Sequence, residues 1–247
     1  MKNSLCLQLV LTLLLLPFSA KAQNQFEKVL FIGDSHAAGY FGIEVDKYLR
    51  TLSSDVTTIA SCGSSPSTWL TTNANYKSTN CGYWKKDSSG HETKTNSHKV
   101  DSFTNEMMTD KPDLTVVALG TNILSSPANI THELPSIEKM LSQIEQAHSQ
   151  CVWIGPPDLR QNPFKANLSS GVEQIQKLVQ KYHCLFVDST KLTHYPATTK
   201  NGIHYDSKDA AEWGKKVSAE IAENLKNLKT LSASAKPNPS QKSTTAQ

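Results

Sequence analysis

The sequence predicts an α/β domain of the doubly wound, three-layer α/β/α class, and three observations carry that reading. Five short apolar runs recur, at residues 28–33, 55–60, 113–119, 151–155 and 184–188. Each is almost continuously apolar, as a strand covered by helices on both faces must be. Helical periodicity fills the gaps between them. Leu134, Ile137, Leu141, Ile144 and His148 recur at steps of three and four, one face of a helix over 134–148. Val172, Ile175, Leu178, Val179 and Tyr182 mark a second helix over 172–182. Ala210, Val217, Ile221, Leu225 and Leu228 mark a third over about 207–228, and a further helix is expected near 37–51. The third observation is the alternation itself. Strand–helix–strand order implies right-handed crossovers and a parallel sheet. Five strands suit a flavodoxin-like order, 2-1-3-4-5, whose ligands bind beyond the carboxyl ends of the strands at the switch point.

The two ends of the chain read differently. Residues 4–16 are apolar behind Lys2, stop at Pro17, and are followed by Ala20-Lys21-Ala22, a small-x-small cleavage pattern. The run is shorter than the ~20 apolar residues a membrane span needs. Residues 1–22 are therefore expected to be a secretory signal peptide, making the protein exported, periplasmic or secreted, with no transmembrane span after its removal. Residues 231–247 carry no large apolar side chain after Leu231 and are expected to be a disordered tail. Residues 23–230 form one domain. The chain's 25 Lys and Arg against 22 Asp and Glu give +3, and losing Lys2 and Lys21 with no acid takes +3 to +1. Basic residues are scattered, Lys85-Lys86 being a dense pair but not a stripe, so nothing points to nucleic acid.

Cys6 leaves with the signal peptide. Cys62, Cys81, Cys151 and Cys184 remain, an even count that suits an oxidising compartment. Four cysteines allow three pairings. We favour Cys62 with Cys81 and Cys151 with Cys184, because the last two each open an apolar run and so fall at matching ends of neighbouring strands. No close Cys or His pair suggests a metal site. The polar stretch 71–98, rich in Asn, Ser, Thr and Lys, is the exception to the α/β pattern. It reads as an irregular insertion, either passive or facing substrate, in which Tyr83 and Trp84 are candidates to stack on a sugar ring.

Chemistry-bearing residues follow the strands. The first ends in Gly33-Asp34-Ser35-His36, the second in Ser61-Cys62-Gly63, and the third in Gly120-Thr121-Asn122. Asn201-Gly202-Ile203-His204 follows the fifth. In a 2-1-3 order the first three turns are neighbours. These four blocks, in this order over about 28–228, resemble the SGNH/GDSL hydrolase family of serine esterases. The resemblance implies the SGNH hydrolase fold and assigns Ser35 as nucleophile and His204 as its base. It also implies an oxyanion hole from the backbone N–H groups of Ser35 and Gly63 and the amide of Asn122. No metal or organic cofactor is implied. Taken alone, Ser35 reads first as an N-cap, while Asn122 also reads as a turn residue and His204 as an exposed loop histidine.

Two positions depart from the family pattern. The residue that orients the histidine is normally aspartate, and here it is Asn201, which stabilises an imidazolium less well. A backbone carbonyl or Asp206 are other acceptors, although Asp206 also reads as the N-cap of the last helix. His36 stands where leucine is commoner, either touching substrate or sitting on the following helix. Trp69, His91 and His98 have no assignable role. The resemblance thus implies a carboxylic-ester hydrolase, and the expected export together with the aromatic residues of the polar insertion points to O-acetyl esters of a cell-envelope or extracellular glycan. An O-acyltransferase using the same residues, and a non-catalytic glycan-binding module on a degenerate hydrolase fold, are the alternatives.

Overall fold

The computed structural model describes residues 25–70, 81–97, 99, 101–197 and 201–234. The expected signal peptide at 1–22 and the tail from 235 lie outside the described residues. So do 71–80 and His98 of the insertion.

The strands are β1 (Lys28–Gly33), β2 (Asp55–Ser61), β3 (Tyr83–Lys86), β4 (Glu92–Thr95), β5 (Leu114–Ala118), β6 (Gln150–Ile154) and β7 (Leu185–Val187). They form one sheet in the order β4-β3-β2-β1-β5-β6-β7. Its parallel part, β2-β1-β5-β6-β7, keeps the expected 2-1-3-4-5 order. β1 is paired on both sides, with Gly33 opposite Ala60 of β2 and Ala118 of β5. The helices are α1 (Tyr40–Leu52), α2 (Pro66–Leu70), α3 (Phe103–Asp110), α4 (Pro127–Gln146), α5 (Phe164–Lys181), α6 (Ser189–Leu192) and α7 (Ser207–Ser234). α7 continues past the boundary expected at residue 230. α4 starts before the expected residue 134, because Ser126 caps it by accepting from Asn129 N and Pro127 occupies its first turn.

Side chains alternate across β1, and this sorts the molecule into three layers. Leu30 and Ile32 join Ile137, Leu141, Ile175 and Val179 of α4 and α5. Val29 and Phe31 join Phe41, Val45, Val217 and Ile221 of α1 and α7.

The sheet has seven strands where five were expected, and the polar insertion supplies the extra two. β3 pairs antiparallel with β2, and β4 with β3. The connecting turn is held by Asp87 Oδ1, which accepts from Ser89 Oγ at 2.7 Å and His91 N at 2.9 Å, with Gly90 at φ +84°. An apolar-run criterion misses such strands, because an edge hairpin carries charge on the faces it leaves to water. The Lys85-Lys86 cluster is spent internally. Lys86 Nζ lies 3.0 Å from the buried Asp46 carboxylate, which also takes Thr58 Oγ1 at 2.7 Å and Arg50 Nε, while Lys85 Nζ lies 3.7 Å from Glu106. Tyr83 and Trp84 alternate into the two cores, 6% and 2% exposed. This corrects their expected role: rings buried on opposite faces of the sheet are not available to stack on substrate.

Both expected disulfides are present. Cys62–Cys81 ties the end of β2 to the start of the hairpin with Cα atoms 5.7 Å apart, and Cys151–Cys184 joins neighbouring strand ends at 4.7 Å.

α1 and α7 pack closely because residue 214 is glycine. A Cβ there would sit 2.7 Å from Phe41 O and 2.8 Å from Glu44 Cβ. Gly214→Ala is expected to separate the helices and to cost ~1–3 kcal/mol through overpacking, read as a lower urea midpoint with an unchanged m-value.

Candidate active site

The turn after β1 is built before any side chain reaches the pocket. Asp34 N donates to Ala118 O at 3.2 Å, and Asp34 O accepts from Ala38 N at 3.1 Å. The Asp34 carboxylate takes His36 N at 2.9 Å. Ser35 therefore stands at the apex of a tight turn. It does not cap α1, whose N-cap is Gly39.

The loop after β2 is pinned from several directions. Gly63 adopts φ +76°, a conformation that favours glycine. Next to it, Ser64 Oγ accepts from Trp69 Nε1 at 3.0 Å, which accounts for Trp69, and Ser64 O accepts from Asn122 Nδ2 at 2.8 Å. The buried Glu133 of α4 grips the start of α2, accepting from Ser67 N at 2.8 Å and Ser65 Oγ at 2.9 Å. One Asn122 amide hydrogen thus fixes the side chain to the Gly63 loop. Nothing in the local sequence marks Glu133, because its partners are 66 and 68 residues away.

His204 enters from the far end of the chain. Gly202, at φ +75°, packs so tightly that a Cβ would lie 2.8 Å from Gln161 N, and its carbonyl accepts from Arg160 N and Gln161 N at 2.8 and 3.0 Å. Tyr195 OH donates to His204 O at 2.9 Å. The result is a contact between groups 169 residues apart: Ser35 Oγ lies 2.9 Å from His204 Nε2. Ser35, Gly63, Asn122 and His204 line a common pocket of about 310 Å³, together with Tyr40 and Tyr205. Protein crowding on the ring's inner side holds the His204 pKa below the ordinary 6.5. Among the described residues no group of three His, Cys, Asp or Glu is placed to hold a metal ion.

Asn201 meets the other side of the ring, with Nδ2 3.0 Å from His204 Nδ1. The amide cannot turn freely, because Oδ1 accepts from Ile203 N at 2.8 Å and His204 N at 2.7 Å. Its NH2 group therefore faces Nδ1, and hydrogen-bond direction assigns the ring proton to Nε2. In that tautomer the ring donates to Ser35 Oγ. Accepting the serine proton instead requires the proton on Nδ1, against a donor. Asp206 does not orient the ring; its carboxylate accepts from Asp209 N at 2.9 Å and caps α7.

His36 is buried, 7% exposed, and lines the pocket from behind. Its ring centroid lies 5.1 Å from that of His204 and 5.2 Å from that of Trp213, and Trp213 stacks on Phe41 at 3.7 Å. Burial, with His204 adjacent, pushes the His36 pKa down to about 3, so His204 is backed by a neutral aromatic wall. Tyr195, Tyr40 and Trp213 belong to the site but went unnoticed in sequence, where no spacing links them to the four blocks.

The fold is one shared with solved esterase structures. No protein-family model matches the chain, and no curated protein matches it. Solved structures do. The aryl esterase of M. smegmatis superposes with a TM-score of 0.56 at 12% identity, covering 80% of this chain and 99% of its own. A carbohydrate acetylesterase from Sinorhizobium meliloti gives 0.56 at 12%, again covering 80% and 99%. A variant of an acetyl-xylooligosaccharide esterase from Geobacillus stearothermophilus gives 0.54 at 14%, covering 80% and 95%. At such identities the likeness is one of fold.

Two buried groups beside the pocket oppose each other in pH dependence. Burial raises the Asp34 pKa from 3.8 to about 7, so the fold retains a proton that the unfolded chain has lost, and stability falls as pH rises between those values. His36 works the other way. The unfolded chain takes its proton below 6.5 and the fold refuses it down to about 3, so stability falls as pH drops through that range. In His36→Leu the Asp34 effect is no longer opposed by His36. Its urea midpoint is expected to decline between about pH 4.5 and 6.5 more steeply than that of the parent.

Proposed function

We propose that the protein is an exported serine esterase that removes O-acetyl groups from a cell-envelope or extracellular glycan. The observation that carries this reading is the 2.9 Å contact of Ser35 Oγ with His204 Nε2 over a pocket shared with Gly63 and Asn122. Ser35 Oγ attacks the ester carbonyl as His204 takes its proton. The N–H groups of Ser35 and Gly63 and the free amide hydrogen of Asn122 hold the oxyanion. His204 returns the proton to the leaving alcohol, and a water activated by the same ring then releases acetate. The two disulfides and the leader-like pattern of residues 1–22 support export.

A glycan substrate has two supports. Tyr40 stands at the pocket rim, 55% exposed, as a flat ring beside the nucleophile on which a sugar can stack. Among the structural neighbours are an acetyl-xylooligosaccharide esterase and a carbohydrate acetylesterase. The site residues would equally serve transfer of the acetyl group to a sugar hydroxyl, with acceptor in place of water.

Asn201 favours a second reading, a glycan-binding module that has lost turnover, because its amide opposes the tautomer a base needs. The two differ in reactivity. An esterase is labelled by a serine-reactive fluorophosphonate, and both labelling and acetyl-ester turnover vanish in Ser35→Ala and His204→Ala. A binding module stays unlabelled while folded. Asn122→Ala is expected to lower kcat ~100- to 1,000-fold with little change in KM. The acid limb of kcat/KM should lie below the ordinary histidine value of 6.5, since the His204 pKa is lowered. Tyr40→Ala is expected to raise KM for an acetylated oligosaccharide and to leave that for p-nitrophenyl acetate unchanged.

A further inference from the structure

Asn201 is a side-chain amide held where its own hydrolysis is assisted. Two backbone N–H groups, those of Ile203 and His204, point at Oδ1 from 2.8 and 2.7 Å. They polarise the Cγ carbonyl and stabilise charge that develops on the oxygen, as oxyanion donors do. The nitrogen that would leave, Nδ2, lies 3.0 Å from His204 Nδ1, a group able to take and return a proton near neutral pH. Asn201 is exposed, so water reaches it, and the next residue is Gly202, which has no side chain to cover Cγ.

We infer that Asn201 is a self-modification site whose amide hydrolyses to a carboxylate and thereby switches the pocket on. The inference rests on the esterase reading above. In the step, a water oxygen bonds to Cγ while one water proton passes to His204 Nδ1. The tetrahedral intermediate collapses, the Cγ–Nδ2 bond breaks, and Nδ2 takes the proton back from Nδ1 and leaves as ammonia. The ammonia removes the remaining acid proton as ammonium, so amide and water become carboxylate and ammonium, with no change of oxidation state.

The product resolves the conflict of donors. Oδ1 keeps its two backbone N–H partners, and a second oxygen stands where Nδ2 stood, able to accept Nδ1–H. The ring proton then belongs on Nδ1, and Nε2 presents its lone pair to Ser35 Oγ. An encoded asparagine is thus a latent aspartate. The exported protein would gain activity with time, with no other protein required.

The test follows the purified protein with time at neutral pH in heavy-oxygen water. Peptide mass spectrometry reads position 201, and hydrolysis of p-nitrophenyl acetate is assayed in parallel. The expected result is aspartate at that position carrying one heavy oxygen, and turnover rising in step by ~100-fold or more. Asn201→Asp should be fully active from the start and constant in time. His204→Gln should slow the conversion ~100-fold or more. An amide that persists with flat turnover overturns the inference. So does isoaspartate with falling turnover, the signature of attack by Gly202 N, which adds a backbone carbon before His204. The two readings fail separately. If Asn201→Asp turns over while the parent's amide stays intact, only this inference is lost. If Asn201→Asp is folded by circular dichroism yet inert to fluorophosphonate, the esterase reading fails and this inference with it.

Discussion

β1 is hydrogen-bonded along its whole length to β2 on one side and β5 on the other. Because all three are parallel, their carboxyl ends stop at the same level. The register puts Gly33 beside both Ala60 and Ala118, so the chain leaves the sheet at three adjacent points within a few residues of one another. Ser35, Gly63 and Asn122 are the residues that follow. A crevice at a strand-order reversal is general to such sheets. What is particular here is how the exits are tied together: Asp34 N to Ala118 O, and Asn122 Nδ2 to Ser64 O.

The fourth element, His204, is not carried by the sheet. It hangs on a loop whose shape is set by backbone contacts, with the Gly202 carbonyl on Arg160 N and Gln161 N and the Tyr195 hydroxyl on His204 O. An aromatic floor completes its position, since His36 meets Trp213 edge-on behind it and Trp213 stacks on Phe41. The geometry of a serine–imidazole pair is therefore assembled from two independent supports, one polar and one apolar. The direction of the proton between them is decided by a third, the amide of Asn201, whose orientation follows from two backbone N–H groups.

The polar insertion shows how an edge can be misread. Its strands carry Lys85, Lys86, Glu92 and Lys94, and in sequence such residues signal solvent. In the fold, Lys86 is paired to Asp46 beneath it and Lys94 lies 5.5 Å over the ring of Trp84. The aromatic residues drawn from the same stretch as candidate contacts for a sugar are instead what roots the hairpin in the two cores. The exposed ring beside the pocket, Tyr40, comes from the first turn of α1, where nothing but its position after the nucleophile's turn sets it apart.

The five parallel strands and the main helices could be read from the chain, because apolar runs and helical steps are local patterns that burial constrains strongly, whereas which of the three cysteine pairings forms was decided by the fold. The residue types of the pocket could be read as well, since each follows a strand end. Other features depended on distance in space between segments far apart in sequence. These are the hairpin that widens the sheet, the grip of Glu133 on the loop after β2, the wall of His36 and Trp213, and the side of the imidazole that faces an amide N–H. Hydrogen-bond direction is a property of three-dimensional neighbours, and so only the folded chain reveals on which nitrogen the proton of His204 rests.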